Sequence, residues 1–138
     1  MNGEAIAARL SASVERRWTD QQVIEATEVV AFRELHGYDQ EGSADIAPPG
    51  FAAVLVQRAV LHVLHDPELD LPFDRNLHAA QALERVGRLR TGTPLTTTAR
   101  VENVRPRDRA VFFDVRTVTT DESGEVLRGV ATEAVRHG

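Results

Sequence analysis

Phe51-Ala52-Ala53-Val54-Leu55-Val56-Gln57-Arg58-Ala59-Val60-Leu61-His62-Val63-Leu64 is the stretch that decides the fold. Only Gln57, Arg58 and His62 interrupt its apolar residues, which point in nearly every direction around a helical wheel. A helix apolar on almost all sides must be enclosed by the rest of its domain. Pro48 and Pro49 fix an extended lead into it, and His65, Asp66 and Pro67 end it.

The residues that follow supply the enclosure. Four candidate strands, 77–90, 95–104, 110–120 and 125–136, are separated by turn chemistry: Thr91-Gly92-Thr93-Pro94, Arg105-Pro106-Arg107-Asp108 and Asp121-Glu122-Ser123-Gly124. In the third, Val111, Phe113, Val115 and Thr117 face one way, and Phe112, Asp114, Arg116 and Val118 the other. In the fourth, Val126, Val130 and Ala134 share a face with Arg128, Thr132 and Arg136. Consecutive strands with short turns predict an antiparallel meander. The fold class is α+β, a curved antiparallel sheet wrapped around one long helix. A half-wrapped sheet leaves an edge strand open. A homodimer, or a heterodimer with a similar chain, is the expected remedy.

Upstream of the helix, Ile6, Leu10 and Val14 recur every four residues and predict a helix within 3–17. Thr19 and Asp20 are N-cap residues for a helix over 21–36, with Gly37 as its C-cap. Val29, Val30 and Phe32 keep a strand reading open for part of that run. Residues 38–47 read as a loop. One domain, 1–138, with 1–17 as an additional N-terminal helix, accounts for the whole.

Composition narrows the function. The chain has 138 residues, 42% apolar and 27% charged, the balance of a globular domain. Without cysteine there is no disulfide framework, thiolate metal site or cysteine nucleophile. A charge of −5, from 21 acidic and 16 basic residues, argues against a nucleic-acid partner. No apolar run is long enough for a membrane span. Glu4 and Arg9 spoil a secretory signal, so the expected location is cytoplasmic. Neither a Gly-rich phosphate loop nor a Gly-x-Ser-x-Gly elbow is present, and no cofactor is expected.

Several stretches then resemble one family. Ile46-Ala47-Pro48-Pro49-Gly50-Phe51 resembles the Ala-Pro-Pro lead into the central helix of MaoC-like dehydratases, in particular the FAS1-like or MaoC N-terminal branch. Asn76-Leu77-His78-Ala79-Ala80-Gln81 is similar to that branch's His-Gly-x-Gln strand start. Arg88-Leu89-Arg90-Thr91-Gly92-Thr93-Pro94-Leu95 resembles its Arg-Pro-Leu-x-x-Gly-Asp-x-Leu turn, Asp121-Glu122-Ser123-Gly124-Glu125-Val126 its last hairpin, and Val135-Arg136 its closing strand. Order and spacing agree over roughly two thirds of the chain, from Ile46 to Arg136.

The resemblance implies a hot-dog domain that binds an acyl thioester of coenzyme A or of an acyl carrier protein. The implied reaction is reversible hydration of a trans-2-enoyl thioester to the (R)-3-hydroxyacyl form. In catalytic members a Gly-Asp-x-Asn-Pro-x-His loop holds one water between Asp and His. A backbone N–H at the start of the central helix polarises the thioester carbonyl. The corresponding loop here reads His36-Gly37-Tyr38-Asp39-Gln40-Glu41-Gly42-Ser43, with no Asn-Pro and no following His. That departure points to an accessory subunit paired with an active hot-dog chain, or to a site arranged differently.

The candidate catalytic residues are therefore Asp39, His36 and His78; Pro49, Gly50, Phe51, Asn76 and Gln81 are the candidate substrate-binding residues. For Asp39 the alternative is a solvated turn, and for His36 a cation favoured by a helix C-terminus. His78 can line the cleft or bond a dimer partner. His62 and His65 have metal-like spacing but no third ligand, and no metal site is expected. Phe112 and Phe113 divide between core and an interface or acyl wall. Arg100, Arg105, Arg107 and Arg109 suit either a solvated turn or an anionic carrier. Two other functions stay open on the same fold: a thioester hydrolase using Asp39 or Asp45, and a non-enzymatic acyl-binding dimer.

Overall fold

The computed structural model of the chain describes residues 2–37 and 45–138. The first helix, α1 (Gly3–Ala12), is capped by Asn2, whose side chain accepts from the Glu4 N–H at 2.9 Å. It buries Ile6 and Leu10 completely. It stops short of the expected 17 because the Ser13 N–H and hydroxyl both return to the Leu10 carbonyl.

The next element corrects the reading of Thr19 and Asp20 as helix caps. Trp18–Val23 is a strand, β1, and α2 occupies only Ala26–His36. Burial alternates along β1, and Ile24 just beyond it is fully buried. Pairing with a neighbouring strand thus outweighs the weak strand preference of Asp20, Gln21 and Gln22. Gly37 ends α2 at φ 71°, a left-handed C-cap that glycine adopts without strain.

The central helix α3 spans Phe51–Leu64, as its apolar run predicts. Leu55, Val56, Val60 and Val63 have no exposure, while Arg58 and His62 form its solvated flank. Four long strands follow: β2 (Asn76–Arg85), β3 (Pro94–Pro106), β4 (Ala110–Asp121) and β5 (Gly124–Arg136). A 3-10 turn, Phe73–Arg75, leads into β2. The sheet is antiparallel throughout with the order β1-β3-β4-β5-β2. Its inward residues, among them Val101, Val115, Phe113, Leu127 and Val135, share one core with α1 and α3.

The expected meander holds only for β3, β4 and β5. β2 pairs with β5 rather than with β3, and it ends at Arg85 instead of 90. The reason is the crossing that residues 86–93 must make from one side of the sheet to the other. The N–H groups of Val86 and Gly87 both turn onto the Val126 carbonyl. Further on, the Ala47 N–H bonds the Leu89 carbonyl, the Thr91 N–H the Asp45 carbonyl and the Gly92 N–H the Ile24 carbonyl, each within 2.9 Å. This strap seats the residues that lead into α3. Gly129 lets α3 lie directly on β5: a Cβ there would stand 2.7 Å from Thr117 Oγ1 and 3.3 Å from Val56 Cγ2.

Candidate functional site

The residues singled out from the sequence fall into two groups at opposite ends of α3. The first lies at its N-terminus. Phe51 is buried, and the Phe32 ring meets it edge-on at 5.4 Å. Phe32 also lies 4.4 Å from the tilted ring of His36, which is exposed at the end of α2. Phe51 and Ala52 donate their N–H groups to the Pro48 and Pro49 carbonyls. The Gly50 N–H makes no hydrogen bond among the described residues, and it is one of the unpaired donors at this helix start. Pro49 is exposed beside it. Asp39 lies outside the described residues. Among the described residues no carboxylate accompanies His36.

The second group lies along β2. Asn76 and His78 pair in register with Val135 and Glu133, both fully buried, so they share the concave face of the sheet. Gln81, after a bulge between His78 and Ala80, faces the same way opposite Ala131. Glu133 is the residue that sequence reasoning missed. Its side chain has 0% exposure, and its two carboxylate oxygens are taken separately. His78 Nδ1 lies 2.7 Å from Oε1, and Asn76 Nδ2 donates to Oε2 at 2.9 Å. Asn76 Oδ1 and Gln81 Nε2 are buried without partners. A signal for Glu133 existed: it has the strand parity of Leu127, Ala131 and Val135, all inward.

The two groups do not meet within one chain. His78 is seven residues from Arg85, about 23 Å of extended strand. Only beyond Arg85 does the chain reach Leu89, which the residues ahead of α3 bond.

A third polar region was not foreseen. An open cleft of about 770 Å³ between β1 and α3 is lined by Trp18, Asp20, Arg58 and His62, among others. His62 Nε2 lies 3.0 Å from Asp20 Oδ1, so His62 ties α3 to β1 rather than merely solvating a helix end. Arg58 donates to Gln22 and to Glu28, and Trp18 Nε1 donates to Asp66 at 2.7 Å. Burial pushes the Asp66 carboxyl up, but the bonds from Trp18 and the Glu68 N–H, with the Arg16 guanidinium, outweigh it and hold the group below its usual range. His65 stacks on Phe73 at 4.2 Å, and no cluster of metal-ligating side chains occurs among the described residues. Of the arginines named from sequence, Arg105 pairs with Asp114 and Arg100 with Glu102. Phe113 is core, and Phe112 is half-buried on the outer face.

A family model described as the FAS1-like dehydratase domain region matches residues 16–130. The chain belongs to the FAS1-like dehydratase family. This FAS1-like chain is 36% identical over 95 residues to a UPF0336 protein of Streptomyces griseus, and 34% identical over 95 residues to one of Streptomyces avermitilis. Each match covers 68% of this chain and 63% of the relative, so it spans a little under two thirds of those proteins. The fold is that of solved hot-dog proteins. The HadBC (3R)-hydroxyacyl-ACP dehydratase complex of Mycobacterium tuberculosis superposes with a TM-score of 0.70 at 17% identity, over 86% of this chain and 92% of the other. A variant of the fluoroacetyl-CoA-specific thioesterase FlK gives 0.67 at 22% identity, over 88% and 86%. The (R)-hydratase PhaJ1 of Pseudomonas aeruginosa gives 0.67 at 17% identity, over 89% and 81%. No helix among the described residues is long and apolar enough to cross a membrane.

Proposed function

We propose that this FAS1-like chain binds 3-hydroxyacyl and trans-2-enoyl thioesters, on coenzyme A or an acyl carrier protein, as one half of a hot-dog pair. The observation that carries this reading is the separation of the two groups. The free Gly50 N–H stands at one end of α3, and the His78–Glu133 pair stands at the other end of β2. β2 is an edge strand with one side unpaired, and its Leu77 is 60% exposed. When a second chain adds its equivalent strand antiparallel to β2, the start of one strand lies opposite the end of the other. The His78 end of one chain then faces the helix N-terminus of its neighbour, and one acyl site spans the seam.

In this arrangement the Gly50 N–H points at the thioester carbonyl, where it stabilises negative charge developing toward the α-carbon. The polar face of β2 lies along the acyl part. The loop after Gly37 lacks the Asn-Pro and the following His of catalytic members. The chain therefore serves as the accessory protomer, and an active hot-dog partner supplies the water-activating pair.

Loss of enoyl absorbance from crotonyl-CoA tests this directly. The chain alone gives no turnover at high concentration, and adding a hot-dog chain with an intact Asp/His loop gives turnover above that of the added chain alone. Full hydratase activity from the chain alone refutes the accessory role. Release of free thiol instead of hydration replaces it with thioester hydrolysis.

A further inference from the structure

We infer that Glu133 is a positioning residue that, with Asn76, fixes the His78 imidazole as a hydrogen-bond acceptor for the hydroxyl of a 3-hydroxyacyl thioester. The orientation of the ring stands on geometry alone; the ligand assigned to it rests on the acyl-thioester reading above.

The geometry is that of a clamp. A carboxylate only accepts hydrogen bonds. Both groups within reach of Glu133 must therefore donate: the Asn76 amide to Oε2 and the His78 Nδ1–H to Oε1. With Nδ1 carrying the proton, Nε2 of the neutral ring is left with its lone pair. The carboxylate is fully buried, whereas the His78 side chain is 37% exposed, so the ring runs from a dry anchor to the open strand edge. A carboxylate behind an imidazole sets its tautomer and raises its strength as an acceptor.

A solely structural role explains these contacts less well. Fully burying a carboxylate carries a desolvation cost of several kcal/mol that an apolar side chain avoids. Every inward neighbour on β5, from Leu127 through Ala131 to Val135, is apolar or glycine. Asn76 Oδ1 and Gln81 Nε2, buried without partners on either side of His78, extend the polar row that a ligand hydroxyl and its carrier would complete.

Two-bond proton–nitrogen correlation spectra of the imidazoles in the full chain read the tautomer, with His78→Gln assigning the resonance. The expected wild-type result is a protonated Nδ1 and a bare Nε2. A bare Nδ1 with a protonated Nε2 means that Glu133 is the donor, and a ring protonated at both nitrogens has no acceptor; either result overturns the inference without any variant. Glu133→Leu should move His78 to the Nε2–H form common in water, and Glu133→Gln, whose amide oxygen still accepts, should restore Nδ1–H. Titrations with 3-hydroxybutyryl-CoA and butyryl-CoA supply the second arm. The wild type should prefer the hydroxy ligand about tenfold, the effect of one well-placed hydrogen bond, and Glu133→Leu should lose that preference. Equal preference in wild type and Glu133→Leu, with butyryl-CoA bound by both, rejects the role of Glu133 alone. Failure of the wild type to bind either ligand, both alone and with an active hot-dog chain added, rejects the acyl-thioester reading and leaves the tautomer result standing.

Discussion

The sheet has two edges, and the chain treats them differently. β1 is closed from within. Asp20 meets His62, Gln22 meets Arg58, and Trp18 meets Asp66, so the polar groups of that edge are answered by α3 and the residues after it. β2 is answered only by β5. It leaves Leu77 and Leu83 exposed, against Val23 on β1, and keeps two buried polar atoms unpaired. The same contrast appears in the two imidazole–carboxylate pairs. In the β1 pair the His is 57% exposed and its Asp 17%, whereas the β2 pair is built on a carboxylate with no exposure. A half-solvated pair is a surface tie worth little. A buried carboxylate is maintained at a cost, and in this molecule it sits where the fold is otherwise unfinished. Under the reading proposed above, β1 is the structural edge and β2 the working one.

The largest effect on stability is expected where β5, β2 and α3 converge. Gly129→Val places a side chain against Thr117, Leu83 and Val56 and should destabilise the fold by about 3 kcal/mol in urea unfolding. A neutral result means that α3 does not sit tightly on the β2 side. Next come the two imidazole–carboxylate pairs. Glu133→Leu leaves the Asn76 and His78 donors facing an apolar group and should cost about 2 kcal/mol. Asp20→Asn, at the solvated pair, should cost under about 1 kcal/mol. Equal costs erase the distinction between the edges.

Two carboxylates, Asp66 beside β1 and Asp114 on β4, also predict an acid response. Asp66 and Asp114 are both held below the usual carboxylate value of 3.8. For Asp114, burial pushes upward, but the bonds from Arg105, Asn103 and Thr132 outweigh it. A carboxyl whose folded value lies below its unfolded value stabilises the fold above the unfolded value. That contribution is lost as pH falls from 3.8 through the lower folded values. Trp18→Phe removes a donor from Asp66 and should cost about 1 kcal/mol at neutral pH. The loss should shrink on acidification below 3.8; a constant loss means that the indole contributes by packing alone. The smallest effect on the protomer's own fold belongs to Leu77→Asp, within about 0.5 kcal/mol. That same change should abolish the rise of melting temperature with protein concentration that a paired wild type shows.

The contrast between edges also explains what the sequence disclosed. α3 was readable because burial on nearly every side leaves nearly every position apolar. β3, β4 and β5 were readable because alternate residues face the core and the turns between them are short. β1 was hidden because an edge strand tied by polar side chains carries Asp20, Gln21 and Gln22, which read as a cap and helix formers. The partner of β2 was hidden because residues 86–93 carry the chain across the sheet, and local pattern says nothing about which edge a strand joins. Of the candidate site, His78, Asn76 and Gln81 were visible as a polar strand start. Their anchor was not, since Glu133 looks like a surface residue until its parity is set by Phe113, its opposite on β4.

The central claim is that an acyl thioester is held across a β2 seam between two hot-dog chains. Sedimentation of the chain, alone and mixed with an active hot-dog chain, in the presence of 3-hydroxybutyryl-CoA, following the adenine absorbance, tests it in one experiment. The account predicts that the nucleotide travels only with a two-chain species. Nucleotide travelling with a single 15.2 kDa chain would contradict it.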